Sequence, residues 1–238
     1  MAATALPASA DVMNFTVDPS QSSLTVSGSL GNGIFSVTAA PQFAGSDVAT
    51  LQGNLQADVT ATSISFTGGS AIDADVLATP VAPGVGGVAG TGPGDLGFVF
   101  AGLLGAVNVD AAGRDLLFDV ASGPAVLGTG GAFSAAANLS VLDGDIDFNG
   151  VALGEAAQGS VPLDGEVAPN VTALDGTLVE IGGLFVLTLP VEVTFEYEDD
   201  GFTGSLLATG QIVATAPVPE PTSLTVLAVA GLALRRRR

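Results

Sequence analysis

The 238-residue chain contains no histidine, cysteine, lysine or tryptophan, and only one tyrosine. Without His or Cys it cannot form a Ser-His or Cys-His nucleophile pair, nor a zinc site built on those ligands. Without Lys, Schiff-base chemistry and the Walker phosphate loop are excluded. Carboxylate pairs, hydroxyls and oxygen-ligand cations such as calcium survive as chemistries. Charge is also scarce: 12% of residues are charged, against about 25% in typical soluble domains. Yet 47% are hydrophobic, which is not the profile of a disordered chain, and the length fits one domain with a core of its own.

The few charges are segregated. Between Asp11 and Pro221 stand 24 acids and one base, Arg114, while the other four bases are the terminal residues Arg235, Arg236, Arg237 and Arg238. A surface so acidic repels nucleic acid, whose binding relies on Lys and Arg, so nucleic acid is excluded as a partner. The acid excess keeps an apolar, Gly-rich chain soluble. Residues 217–238 read as a Pro-rich hinge, an uncharged apolar run from Thr222 to Leu234, and the arginine block. Thr222-Ser223 is a helix N-cap signal, and the run predicts a short hydrophobic helix. At 1.5 Å per residue it spans only about 20 Å, short of a ~30 Å bilayer core. The arginines act as a stop-transfer that stays cytoplasmic.

Pro219-Glu220-Pro221, the apolar segment and the arginine cluster together resemble the PEP-CTERM sorting signal, over about the last 21 residues. The resemblance implies an exported bacterial protein. It also implies processing near Pro219, Glu220 and Pro221 by an exosortase, transient inner-membrane association, and delivery to the cell surface, often alongside exopolysaccharide. At the other end, residues 1–10 read as the remnant of a signal peptide. Ala8 and Ala10 fit the A-x-A rule for cleavage before Asp11.

The body, residues 11–216, has a period of two. Phe15 and Val17, Leu24 and Val26, and Ile64 and Phe66 alternate with polar neighbours. In Val191–Glu198 the apolar residues face a core and Glu192, Thr194, Glu196 and Glu198 face water. Asp199-Asp200-Gly201 then turns into a strand over Ser205–Ala214, which closes the sheet by pairing with the first strand after Asp11. Asn32-Gly33, Asn149-Gly150, Asp164-Gly165 and Asp175-Gly176 are further turn signals. Phe100–Val107 allows a short helix, and the Gly/Pro-rich segment Ala78–Asp95 reads as a surface loop. The expectation is an all-β, single antiparallel domain, barrel or sandwich, of about ten to twelve strands, followed by the C-terminal helix. Phe15–Leu24 resembles the opening of YceI-like, lipocalin-type barrels, which implies an interior holding an apolar lipid chain.

Candidate sites are few. Gly84–Ala89 matches a dinucleotide fingerprint but lacks the helix that would hold a pyrophosphate. Asp145, Asp147 and Asn149 spell the first half of a calcium loop. Read instead as a strand, the same stretch sets Asp143, Asp145, Asp147 and Asn149 on the wet face and Leu142, Ile146 and Phe148 inward, and this reading is preferred. Arg114 predicts an ion pair with Asp115 or a neighbouring acid. No cofactor is expected. Three roles follow, in order: a non-enzymatic surface or extracellular-matrix component; a barrel-type carrier of a small apolar ligand; and a carboxylate-based hydrolase. An apolar cavity inside the sheet favours the carrier, and a filled core favours the structural role.

Overall fold

The computed structural model describes residues 11–31, 35–169, 173–199 and 202–219. Among these residues there is no α-helix, and sixteen strand segments form one antiparallel sheet. The segments assemble into eight long strands, because excursions of the chain interrupt several of them. The first is β1 (Asp11–Val17) with β2 (Ser23–Gly31). The second is β3 (Ser36–Pro41) with β4 (Val48–Val59), and the third is β5 (Ser63–Phe66), β6 (Ala71–Ala74) and β7 (Leu96–Gly102). The fourth is β8 (Val107–Ser122), followed by the two-residue piece β9 (Ala125–Val126), which pairs with β5. The fifth is β10 (Ala132–Ala135) with β11 (Ala137–Ala152). The sixth is β12 (Glu155–Pro162), β13 (Val167–Pro169) and β14 (Leu174–Ile181). The last two are β15 (Leu184–Asp199) and β16 (Phe202–Pro217).

Each long strand pairs with the next, and β16 returns to the first. Thr16 pairs with Thr215 and Val17 with Ala214, while Ser23–Gly31 pairs with Thr203–Gln211. The hydrogen-bonded neighbours therefore form a ring, an up-and-down barrel rather than two stacked sheets. The expected closure between the last and first strands is present, and β16 runs beyond Ala214 to Pro217. The strand count differs from ten to twelve because the breaks lie inside strands and not only between them.

Polar contacts hold the first of these breaks. Between β1 and β2, the Asp18 carboxylate accepts from the Ser20 amide (2.9 Å), the Ser20 hydroxyl (2.7 Å) and the Gln21 side-chain amide (2.6 Å). These bonds, the Ser20 hydroxyl first, hold the carboxyl below its ordinary range. Buried Ser22 then ties the break to β16, donating to Val213 O (3.0 Å) and accepting from Val213 N (2.9 Å).

Several turn signals land elsewhere. Asn149-Gly150 lies inside β11, and the β11–β12 turn falls at Leu153-Gly154, both at positive φ (55° and 88°). Gly150 serves a different need, since a Cβ there would stand 2.1 Å from Asn108 O on β8. Asp175-Gly176 lies in β14, where Gly176 leaves room for the Phe133 ring, and the next turn is Gly182-Gly183. Asp164-Gly165 does turn. Phe100–Val107 is no helix: β7 ends at Gly102 and one 3-10 turn, Leu103–Gly105, leads into β8. β15 and β16 pair up to Asp199 opposite Phe202; the expected turn residues Asp200 and Gly201 lie outside the described residues.

The interior is not filled evenly. In the half built by β1, β4, β5, β6, the end of β16 and the start of β15, Phe15, Leu55, Ile64, Phe66, Ile72, Leu187 and Ile212 are fully buried. The other half holds a cavity.

Candidate functional site

The cavity has a volume of about 310 Å³. Its walls are inward residues of all eight long strands: Leu24, Val26 and Leu30 of β2, Ala49 of β4, Phe98 and Phe100 of β7, and Val109, Ala111 and Phe118 of β8. Leu139, Ile146 and Phe148 of β11, Ala157 of β12, Phe195 of β15, and Leu206 and Ala208 of β16 complete them. Apart from Glu166 and Glu196, every lining residue is apolar or glycine. Both glutamates are exposed, as are Val161 and Pro162, so this wall is where the interior meets solvent. The ring explains the location: β15 is joined to β14 only over Leu184–Thr188, and β12 is the free end of the sheet order. Beyond that point no strand pairing joins the β12 and β15 edges among the described residues, which leaves a slit in the barrel wall.

The outer wall of the same half carries a second constellation. Residues 75–95 fold back over β7, β8, β11 and β12. The segment is closed on itself by Val81 N to Gly92 O (2.9 Å), Gly92 N to Val81 O (2.9 Å) and Leu77 N to Gly94 O (2.8 Å). Val81 is wholly buried, and a Cβ on Gly94 or Gly97 would strike its side chain. Gln42 clasps the segment, accepting from Ala82 N (2.7 Å) and donating to Ala82 O, Phe98 O (3.1 Å) and Ala111 O (3.2 Å). Beneath it Arg114 Nε donates to Asp147 Oδ2 at 2.7 Å, with exposures of 5% and 1%. Arg114 Nη2 donates to Pro83 O, and Gly86 N to the same Asp147 oxygen at 2.9 Å. Arg114 Nη1 and Asp147 Oδ1 are buried without a protein partner, a polar niche suited to an ordered water.

The expected pairing of Arg114 with an acid is therefore present, and its partner is Asp147 on the facing strand rather than Asp115. Asp147 leaves the wet face assigned to it because the folded-back loop covers it. The alternation also slips. Asp115 (φ 51°) and Gly144 (φ 133°) sit in facing bulges, so Val141 points inward and Leu142 is exposed. Asp145, Asp147 and Asn149 lie at alternate positions of a straight strand, not around a loop, and Asp147 is occupied by Arg114. No group of three or more His, Cys, Asp or Glu residues placed to hold a metal occurs among the described residues. In the Gly84–Ala89 fingerprint only the 3-10 turn Val85–Gly87 forms, and its Gly86 amide is taken by Asp147.

Asp95, buried at the end of this segment, accepts from Leu116 N at 2.9 Å. Burial pushes its carboxyl up to about 6, against the lowering effect of that N–H. The folded state thus holds this proton more tightly than the unfolded chain. Its contribution to stability is full below about pH 4, the ordinary range of the group, and is lost as pH rises through about 6. Asp95→Asn is expected to flatten the fall in Tm between pH 4 and 7 relative to the parent protein, checked by calorimetry at matched ionic strength.

Pro219 is the last described residue before the tail; Glu220, Pro221, Arg235–Arg238, Ala8 and Ala10, and the expected C-terminal helix, lie outside the described residues. Among the described residues no helix is long and apolar enough to cross a membrane. The chain matches no family model, no curated protein and no solved structure.

Proposed function

We propose that the protein is an exported bacterial cell-surface or extracellular-matrix protein, non-enzymatic, sorted by an exosortase through its C-terminal signal, whose barrel carries an apolar ligand. The cavity carries the reading: a matrix component with no ligand gains nothing from leaving this space in its barrel unfilled. Cavities forfeit stability in proportion to their volume, and about 310 Å³ lies within the range of small-molecule sites. The Pro219-Glu220-Pro221 motif and terminal arginines support the destination.

The test is binding of a neutral apolar dye, N-phenyl-1-naphthylamine, to the full chain. One dye per protein is expected, with affinity reduced at least about tenfold when Ala111→Phe and Ala208→Phe fill the space. Phe100→Ala, which enlarges the space, is expected to retain binding. If the filled variant binds the dye as tightly as the parent while remaining folded in urea titration, the carrier reading is wrong.

A further inference from the structure

We infer that the ligand is a single apolar chain whose polar end is a hydrogen-bond donor, a hydroxyl or an amine, and that chains ending in carboxylate or phosphate are rejected. This rests on the carrier reading and adds the chemistry of the head group.

The size sets the first limit. At about 310 Å³ the space stands at the lower edge of small-ligand sites, which fits one chain rather than the paired chains of a membrane lipid. The polar groups of the wall set the second. Its charged side chains are Glu166 and Glu196, both exposed where the interior meets solvent. Their positions are fixed by backbone bonds: Glu166 O accepts from Val141 N at 2.8 Å and its N–H donates to Leu163 O at 3.0 Å, while Glu196 pairs with Ser205 across β15 and β16. An ionised carboxylate only accepts hydrogen bonds, so the opening offers acceptors and negative charge.

Among the described residues no cation answers an anionic head group there. Arg114 is the only base between Asp11 and Pro221, and it is buried on the outer face of the barrel, bound to Asp147 and Pro83. A fatty carboxylate or alkyl phosphate drawn into the interior would bring its charge beside two carboxylates while losing part of its hydration. A hydroxyl in the same place donates to a glutamate oxygen, and an ammonium gains a charge-assisted bond. The surrounding acid excess extends the same preference to the approach of the ligand, over a distance set by ionic strength.

The experiment is displacement of the neutral dye from the full chain by dodecanol, dodecylamine and dodecanoate, at low salt and pH 7.5 and below micellar concentrations. Dodecanol and dodecylamine are expected to compete, and dodecanoate at least about tenfold more weakly, the scale that two nearby carboxylates supply. The Glu166→Gln/Glu196→Gln variant is expected to narrow that gap to about twofold, with the affinity for dodecanol changed little. Equal competition by dodecanoate and dodecanol overturns the head-group inference and leaves the carrier reading standing. So does an undiminished gap in the double variant. Failure of all three to displace a dye that the filled variant no longer binds limits the interior to shorter ligands and overturns the single-chain inference. Failure of the dye itself to bind removes the carrier reading and this inference with it.

Discussion

Arg114→Met is expected to destabilise the folded protein by about 3–5 kcal/mol, the cost typical of removing one partner from a buried ion pair. Asp147 is 1% exposed and would keep only the Gly86 amide as a partner for its charge. For a chain of this size that corresponds to a fall in Tm of roughly 10 °C. Asp147→Asn is expected to fall in the same direction, because it strands the guanidinium beneath the folded-back segment. The double variant Arg114→Met/Asp147→Leu is expected to recover a large part of the loss, since it leaves no buried charge, although Pro83 O and Gly86 N lose partners. Urea unfolding of the three variants measures all of this. Hydrogen exchange over residues 75–95 adds a local readout, because the pair is the polar anchor of that segment and its loss should open the segment before the barrel. A single variant within about 1 kcal/mol of the parent, with the segment still protected, would show that Val81 and Gln42 hold it without the pair.

The alternation of apolar residues made the antiparallel sheet legible wherever a strand has one dry face, while barrel and sandwich stayed alternatives. Phe15 and Val17, Ile64 and Phe66, and Val191 and Val193 all point inward as the period of two requires. Pairing of the last strand with the first was readable too, because an open edge of that length would be a liability. Two things were not. The bulges at Asp115 and Gly144 shift the phase by one residue, and an Asp or a Gly inside a strand pattern permits a positive φ without requiring one, so Leu142, expected inward, is exposed. Glycines carry two meanings that a dipeptide does not separate. Gly154 and Gly183 adopt turn conformations, whereas Gly150 and Gly176 are strand residues whose missing Cβ admits a neighbour. Apart from the YceI-like resemblance of Phe15–Leu24, the residues that leave the cavity open are the small side chains Ala111, Ala157 and Ala208 at lining positions. That Arg114 pairs with an acid was legible from its being the only base of the body; which acid was not, because Asp147 is brought beside it by the β8–β11 register and buried by a segment with no periodicity.

The division of the barrel gives the proposed sorting role of the C-terminus a geometric consequence. β16 ends at Pro217 opposite Leu184, and Val218 N donates to Gly183 O at 3.1 Å, so the chain leaves the barrel beside the β14–β15 turn. Glu196 and the slit lie toward the other end of β15, in the half that contains the cavity. A protein held at its C-terminus would therefore present the cavity away from its point of attachment.

Replacing Pro219, Glu220 and Pro221 together with alanine is expected to convert the mature protein to an unprocessed form retained with the inner membrane. This is an all-or-none change in cell fractionation, and intact mass reports it as retention of the residues after Pro221. The substitution lies beyond the last strand residue, Pro217. Urea stability and dye binding of the barrel are expected to stay at parent values, which separates a sorting defect from misfolding. Replacing Arg235–Arg238 with serine is expected to give a related outcome, since the apolar run then lacks the charge that halts it. The two variants differ in where the unprocessed chain accumulates: the motif variant stays with the inner membrane, whereas the arginine variant passes to the exported fraction with its tail intact. If processing and location match the parent in both variants, Pro219-Glu220-Pro221 is an ordinary Pro-rich hinge, and the surface destination loses its support even if the cavity binds its ligand.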